Sequence, residues 1–236
     1  MPGKRTREIA EVYPVREDSR LLARFARPRR GDTVLEVGCG RGLAALVSAR
    51  HGARRVVATD LNPAALRAVL RRARHEGLPL DVVRTDLAAG LRRFDLVLSN
   101  PPYLPTGRNE RDRNRWENLA LDGGPDGCRV TARLLATLGA HLAPDGLAYV
   151  LVSSLQSAAR LEEIRARWRR RGGVCRTVAR ERWGDETLSV WRLSRASRRT
   201  GRSTRERGGR RRAPPHGRSG SSRGAGSGRT SARGGA

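Results

Sequence analysis

Short apolar runs alternate with longer helical patterns along residues 18–193. The runs are rich in Val and Leu and have the length of buried strands, whereas the stretches between them repeat apolar residues at helical spacing. The pattern predicts strands at 33–37, 55–59, 80–84, 94–99, 146–153, 174–181 and 186–193, and helices at 18–26, 43–51, 63–76, 126–141 and 157–171. Only Arg182-Trp183-Gly184-Asp185 separates the last two strands, as in an antiparallel hairpin at a sheet edge. We therefore predict an α/β fold with a seven-stranded, mostly parallel sheet and an antiparallel C-terminal hairpin.

The composition changes abruptly after Ser194. Residues 195–236 contain 13 Arg, one acidic residue (Glu206) and no Leu, Ile, Val or aromatic residue. Such a segment cannot bury enough apolar surface to offset the entropy that is lost on ordering. The sequence therefore predicts one folded domain over residues 1–194 and a disordered Arg/Gly/Ser-rich tail over residues 195–236.

Both parts of the chain are basic. Of the net charge of +26, +12 lies in residues 195–236 and +14 in residues 1–194. A basic surface favours anionic partners such as RNA, DNA or ribosomes, with an affinity that falls steeply with salt. Lys4 is the only lysine, so a general drift of composition toward arginine is the alternative explanation of this charge.

The chain has no candidate membrane span or metal site. No run approaches the roughly 18 apolar residues of a membrane-spanning helix, and the charged residues at the start are not followed by an apolar stretch. We therefore expect a cytoplasmic protein. Cys39, Cys128 and Cys175 are far apart and lack a CxxC pair or a His at metal-ligand spacing, so we expect three reduced thiols.

The most informative motif is Asn100-Pro101-Pro102-Tyr103, which directly follows the predicted strand 94–99. Open α/β sheets bind their ligands at the carboxyl ends of the strands. An Asn followed by two prolines places a side-chain amide and free backbone carbonyls in a rigid turn, and these acceptors can hold a planar NH2 group. We expect the Asn100 side-chain oxygen and the Pro101 carbonyl to bind such a group, with Tyr103 packed against its plane.

A glycine-rich turn joins strand 33–37 to the next helix. Gly38, Gly40 and Gly42 have GxGxG spacing, which differs from the GxGxxG of dinucleotide folds. Glycines at this place allow a cofactor to approach the backbone closely. Glu36 precedes them, where a carboxylate would repel a pyrophosphate but could orient the amino end of an amino acid.

Two further acids end the neighbouring strands. Asp60, followed by Leu61, stands where an acid can bind both hydroxyls of an adenosine ribose. Asp86 closes the third strand in the same way, and Leu87 beside it suits the adenine ring. Three acids at strand ends around one glycine turn favour S-adenosylmethionine over NAD.

The sequence resembles Rossmann-like class I S-adenosylmethionine-dependent methyltransferases over residues 10–194. A closer match to the short HemK-like glutamine methyltransferases is carried by residues 12–19, 100–105, 121–127 and 153–155. In that family, the archaeal and eukaryotic branch modifies the Gly-Gly-Gln loop of the peptide-chain release factor. The resemblance therefore implies transfer of a methyl group to the side chain of that glutamine.

The resemblance also implies roles for residues that the pattern alone does not assign. It implies cofactor contacts for Glu17, Asp18, Ser19 and Asn100. It implies a substrate contact for Asp122-Gly123, for which a helix-entry turn is the alternative. Eukaryotic members have a small activating subunit. The chain departs from the family at Pro14-Val15-Arg16, where Glu-Pro-Ala is usual, and in its arginine-rich segment 106–118.

Two alternatives to glutamine methylation remain. The exocyclic NH2 of adenine or guanine presents the same donors and planar face to the motif, and the basic body, residues 108–115 and the tail favour a nucleic-acid substrate. Against a nucleic-acid substrate, residues 1–194 leave no room for an additional target-recognition domain that would hold a flipped base. The third hypothesis is a protein that chiefly binds RNA or ribosomes through its tail.

Overall fold

The computed structural model describes residues 12–107 and 114–196. Most of segment 108–115 and nearly all of the predicted tail lie outside this range. The predicted domain boundary at residue 194 depends on those tail residues. In chain order the elements are α1 Glu17–Ala23, β1 Thr33–Val37, α2 Leu43–Arg50, β2 Arg55–Asp60, α3 Pro63–His75, β3 Leu80–Arg84, β4 Phe94–Ser99, α4 Arg115–Leu121, α5 Arg129–His141, β5 Leu142–Ser153, α6 Ala158–Arg170, β6 Gly173–Trp183 and β7 Glu186–Arg195.

The seven strands form one sheet in the order β3-β2-β1-β4-β5-β7-β6. The first five strands pair in parallel, and β7 is antiparallel to both β5 and β6. A two-residue loop, Gly184-Asp185, joins β6 to β7. The predicted α/β fold with a mostly parallel sheet and a C-terminal hairpin is confirmed.

Several elements begin or end a few residues from their predicted bounds, and two differ by more than that. β5 begins at Leu142 rather than at residue 146, because a register shift opposite Phe94 and Leu96 lets the strand continue through a bulge. α4 was not predicted, since the arginines around it hide any apolar periodicity and none of its residues is buried. The side chain of Asn114 caps this helix by accepting hydrogen bonds from the Trp116 and Glu117 amides.

Helices cover both faces of the sheet, and alternate residues of each strand point to opposite faces. Val34 of β1 packs with Leu21 of α1 and Leu46 of α2. Leu35, its neighbour, belongs to the cluster that contains Leu134 of α5. This arrangement buries both faces of the sheet, so ligands can reach the strands only at the two edges where strands begin and end.

We call these the carboxyl edge, where the parallel strands end, and the amino edge, where they begin. β7 is antiparallel, so it begins at the carboxyl edge with Glu186 and ends at the amino edge with Arg195. No helix within the described residues has the length and hydropathy needed to cross a membrane. Cys39, Cys128 and Cys175 are buried free thiols.

Candidate active site

A cavity of about 400 Å³ opens at the carboxyl edge. Its walls come from the ends of the first four strands, from the segment before α1, from α4 and from the start of β7. It brings together most of the predicted site residues, namely Asp18, Ser19, Glu36, Gly38, Gly40, Asp60, Leu61, Asp86, Leu87, Asn100, Pro101, Pro102 and Tyr103. The predicted residues Glu17, Gly42, Asp122 and Gly123 are not among its walls.

The positions of Glu17 and Gly42 have simple physical reasons. Glu17 is on the outer side of α1, where its carboxylate lies 3.4 Å from Arg20 in an exposed ion pair. Gly42 begins α2 and packs against α3, so closely that a Cβ there would lie 2.6 Å from Cγ2 of Val69. The third glycine of the turn therefore permits helix packing rather than close approach of a ligand.

Asp122 and Gly123 support the wall instead of forming it. Asp122 ends α4, its Oδ1 accepts a hydrogen bond from the Gly124 amide at 2.8 Å, and its Oδ2 lies 3.0 Å from the Arg129 guanidinium. The Gly123 amide donates to the Leu104 carbonyl at 2.9 Å. This loop thus fixes the segment that follows Tyr103 and leads into α5, where the Arg129 amide donates to the Gly123 carbonyl at 2.7 Å, as the helix-entry alternative describes.

The side chain of Asn100 is held in one orientation by Asp18. Its Nδ2 donates to Oδ2 of Asp18 at 2.9 Å. A carboxylate can only accept, so the amide nitrogen must face Asp18 and the oxygen must point away from it. Asn100 Oδ1 is buried and has no hydrogen-bond partner among the described residues. An acceptor left in this state is costly unless a ligand donates to it.

Asp18 collects several donors and is only 4% exposed. Its Oδ1 accepts from the Ser19 amide at 2.6 Å and from Ser19 Oγ at 3.2 Å. The Tyr13 hydroxyl donates to Oδ2 at 3.2 Å. Burial, together with the Asp18 charge, raises the pKa of Tyr13, so the phenol remains a donor. Sequence analysis assigned Tyr13 only to the family match, although it precedes Asp18 by five residues and could have been paired with it.

Tyr103 is held in place by Glu186, the first residue of β7. Its side chain hydrogen-bonds to Glu186, and burial raises the pKa of Tyr103, so its hydroxyl is the donor. Ser153 Oγ donates to Glu186 Oε1 at 2.5 Å. Sequence analysis missed Glu186. The signal was available, because the first residue of an antiparallel strand in a parallel sheet lies at the carboxyl edge.

Glu36 and Asp60 bind the backbone around the glycine turn. Glu36 Oε2 accepts from the Ala45 amide in the first turn of α2 at 2.7 Å, and burial raises its pKa to about 8. Asp60 Oδ2 accepts from the Gly40 amide at 2.9 Å, and its Oδ1 from the Asn62 amide at 2.8 Å. Burial likewise raises the pKa of Asp60. Both carboxylates keep free lone pairs for donors on a ligand.

Asp86 and Leu87 form the far wall of the cavity. Asp86 Oδ2 lies 2.6 Å from Arg133 of α5, a wall residue that sequence analysis missed. Leu87 has a φ of 55°, in the left-handed region that is strained for a branched side chain. Its carbonyl accepts from Thr59 Oγ1 at 2.8 Å, which holds this conformation.

The site fits S-adenosylmethionine. Gly38 and Gly40 have φ values of 67° and 51°, and a Cβ at either position would meet no atom within 4 Å, so both leave open space above the turn. The neighbouring acceptor oxygens suit the amino group, ribose hydroxyls and adenine amine of the cofactor, and Leu87 offers an apolar surface. The wall therefore provides a cradle and acceptors where the sequence predicts the cofactor.

Comparison with known proteins agrees with this site. A model of the methyltransferase small domain matches residues 15–118. The chain is 36% identical over 146 residues, 61% of its own length and 74% of the relative's, to a Methanocaldococcus jannaschii protein named as a protein N5-glutamine methyltransferase. It is 32% identical over 198 residues, 79% of its length and 91% of the relative's, to the mouse methyltransferase HEMK2. The chain belongs to the HemK-like methyltransferase family.

The HemK-like chain covers different fractions of the lengths of its relatives. It spans about half the length of the bacterial release factor glutamine methyltransferases that it matches, for example 45% of the Deinococcus radiodurans protein at 40% identity. A solved neighbour is the Encephalitozoon cuniculi Mtq2 in complex with Trm112, described as responsible for methylation of the termination factor eRF1. That likeness, with a TM-score of 0.61, 24% identity and coverage of 79% and 99% of the two chains, shows the fold. The cofactor of this methyltransferase fold is S-adenosylmethionine.

Proposed function

We propose that this HemK-like protein transfers a methyl group from S-adenosylmethionine to the side-chain nitrogen of the glutamine in the Gly-Gly-Gln loop of a peptide-chain release factor. The observation that carries the proposal is the buried, unpartnered Oδ1 of Asn100, fixed in place by Asp18. A primary amide offers two N–H donors on a planar group, which is what this acceptor and the adjacent Pro101 carbonyl can bind. Relatives named as protein and release factor glutamine methyltransferases support the choice of substrate.

The chemistry requires positioning rather than a strong base. An amide nitrogen is a poor nucleophile, because its lone pair is delocalised into the carbonyl. Asn100 Oδ1 and the Pro101 carbonyl would fix the nitrogen by accepting its two hydrogen bonds, and Tyr103 would pack against the amide plane. Holding reacting groups in one geometry can replace much of the entropic part of the barrier.

The carboxylates would serve both the cofactor and the developing charge. When bound, S-adenosylmethionine supplies a methyl group that its sulfonium makes electrophilic. Glu36 would hold the amino group, Asp60 the ribose hydroxyls, and Asp86 with Leu87 the adenine. As the substrate nitrogen gains the methyl group it would become positive, and Asn100 Oδ1, held by the buried Asp18, would stabilise that charge until the nitrogen releases one of its N–H protons to solvent.

A small activating subunit is part of this proposal. The solved neighbour Mtq2 is in complex with Trm112, and among the described residues β3 and β6 stand at the two ends of the sheet, each with one neighbouring strand. An edge strand with unpaired backbone groups is a ready site for another chain. Measuring methylation with and without an added Trm112-type protein tests this part.

The central experiment offers alternative substrates to the full-length protein. With labelled S-adenosylmethionine, the protein is incubated with a release factor, the same factor with its Gly-Gly-Gln glutamine replaced by Ala, ribosomal RNA, or duplex DNA. We expect label on the unmodified factor alone, and mass spectrometry should place one methyl group on the glutamine. Label on RNA or DNA and none on the factor would contradict the proposal and favour base methylation.

A further inference from the structure

Exposed arginines gather at the amino edge of the sheet. Arg29 and Arg30 lie in the loop before β1, Arg54 precedes β2, and Arg92 with Arg93 precedes β4; all five are exposed. We call these five residues the amino-edge arginines. Because β2, β1 and β4 are neighbours in the sheet, their three loops lie side by side.

Hydrogen bonds hold these loops together. The Arg54 amide donates to the Asp32 carbonyl at 2.8 Å, which joins the loops before β1 and β2. The amide and Oγ1 of Thr33 each lie 2.8 Å from Asp95 Oδ2, which joins the starts of β1 and β4. The guanidinium groups are therefore carried by a fixed backbone.

The amino-edge arginines are not neutralised by the described residues. None of the five guanidinium groups forms an ion pair or hydrogen bond with another residue in 12–107 or 114–196. The nearby carboxylates have other partners: Asp32 accepts from the Arg29 amide, Asp95 from Thr33, and Asp81 pairs with Arg55. One further acid near the amino edge is Asp145, which is exposed in the β5 bulge.

The arginines of α6 show that composition alone does not produce such a surface. Glu162 and Glu163 pair with Arg160, Arg165, Arg167 and Arg169 on that helix. Compositional drift toward arginine would act on both regions alike, yet these arginines of α6 have acidic partners and the amino-edge arginines have none among the described residues. Self-repulsion at such a patch is relieved by an anionic ligand.

The chemistry of the patch favours a phosphate backbone. Guanidinium groups bind phosphate oxygens through paired N–H donors, and the loops 27–32, 51–54 and 91–93 contain no Phe, Tyr or Trp on which a base could stack. β7 also ends at this edge with Arg195, and residues 196–236 contain 12 further arginines.

We infer that the amino edge binds the phosphate backbone of RNA, leaving the cavity at the carboxyl edge free for the protein substrate. The choice of RNA over other polyanions rests on the proposed function, because a release factor acts on the ribosome. Contacts to phosphate carry no sequence information. The affinity should therefore depend on salt and on charge position, and little on RNA sequence.

The test compares two full-length variants that each lose five positive charges. One replaces the amino-edge arginines with Gln; the control replaces five exposed arginines of α1, α3, α6 and β6, namely Arg20, Arg67, Arg167, Arg180 and Arg182. Binding of a labelled ribosomal RNA hairpin is measured by fluorescence anisotropy at several salt concentrations. The same titrations are made with duplex DNA and with vesicles of phosphatidylcholine and phosphatidylserine.

We expect the amino-edge variant to bind the RNA at least about tenfold more weakly than the control, with a salt slope shallower by up to about 3.5 to 4.5, the contribution of five phosphate contacts. Equal losses in the two variants, or wild-type affinity in the amino-edge variant, would overturn the inference. So would a loss confined to DNA or vesicles. Methylation of the isolated release factor should be unchanged in both variants, and its absence in the wild-type protein would count against the proposed function instead.

Discussion

The two edges of this sheet are built from the same strands and have opposite chemistry. The carboxyl edge contains buried acids that accept hydrogen bonds from neighbouring side chains, as Asp18 does from Asn100 and Tyr13. The amino edge displays arginines whose guanidinium groups form no hydrogen bond or ion pair with a described residue. The net charge of +26 therefore describes neither edge. The role of a charged residue in this sheet depends on which end of its strand the residue occupies.

The largest effect expected at the carboxyl edge is that of Asn100→Ala. Loss of the oriented acceptor should lower kcat for the release factor by about 10²- to 10³-fold, as removal of one preorganised hydrogen-bonding group does in other enzymes. Affinity for S-adenosylmethionine, measured by calorimetry, should stay within a few-fold of the wild type. A variant with normal turnover would refute the assignment of Asn100 to the substrate amide.

Asp18→Asn tests whether the acid acts through Asn100. An amide at position 18 can donate as well as accept, so it no longer fixes the orientation of Asn100, and kcat should fall by up to about 10²-fold with KM nearly unchanged. Glu17→Gln is the matched control, since this neighbour is exposed and lies outside the cavity. If both variants lose the same activity, or if Asp18→Asn changes KM alone, Asp18 does not position Asn100.

Gly40→Ala and Gly52→Ala place the same strain at opposite edges. Both glycines have positive φ and open space at the Cβ position, so each alanine should lower the free energy of unfolding by about 1 to 2 kcal/mol. Only the methyl group at position 40 projects from the turn that faces the cavity. We expect Gly40→Ala to weaken S-adenosylmethionine binding by about tenfold, or 1.4 kcal/mol. Equal affinities in the two variants would show that the turn does not contact the cofactor.

The protonation of Glu36 makes stability depend on pH. Its pKa is raised by burial to about 8 from an ordinary value of 4.5, so the folded protein keeps a proton that the unfolded chain releases. The free energy of unfolding of the ligand-free protein should therefore fall as pH rises from about 4.5 through 8. Urea unfolding at several pH values measures the slope, and Glu36→Gln should remove one proton's share of it. An identical slope in the variant would contradict the assignment.

Local sequence signals predicted the fold and most of the cofactor side of the site. β1, β3 and β4 have the predicted limits, because buried strands leave apolar runs whose boundaries do not depend on distant residues. Asn62 followed by Pro63 marks the start of α3 in both sequence and structure, and the Asn62 side chain caps the Ala64 amide.

The errors concern contacts between distant segments. Gly42 reads as part of the cofactor turn, yet Val69 decides its role. Asp122 and Gly123 read as substrate contacts, yet neither lines the cavity, and the Gly123 amide donates to the distant Leu104 carbonyl. Glu186 was missed because no nearby motif marks it; only the direction of β7 brings it to Tyr103. Tertiary packing, which no local pattern records, determines each of these roles.

The placement of Glu186 has a consequence for how the protein is made. Tyr13 and Asp18 precede β1, and Glu186 belongs to β7, although all three residues line one cavity. During synthesis, the parallel strands can emerge and pair while the wall behind Tyr103 is still missing. The pocket at Tyr103 is therefore incomplete in a nascent chain until β7 has left the ribosome and inserted between β5 and β6, so we expect methyl transfer only from chains that include β7.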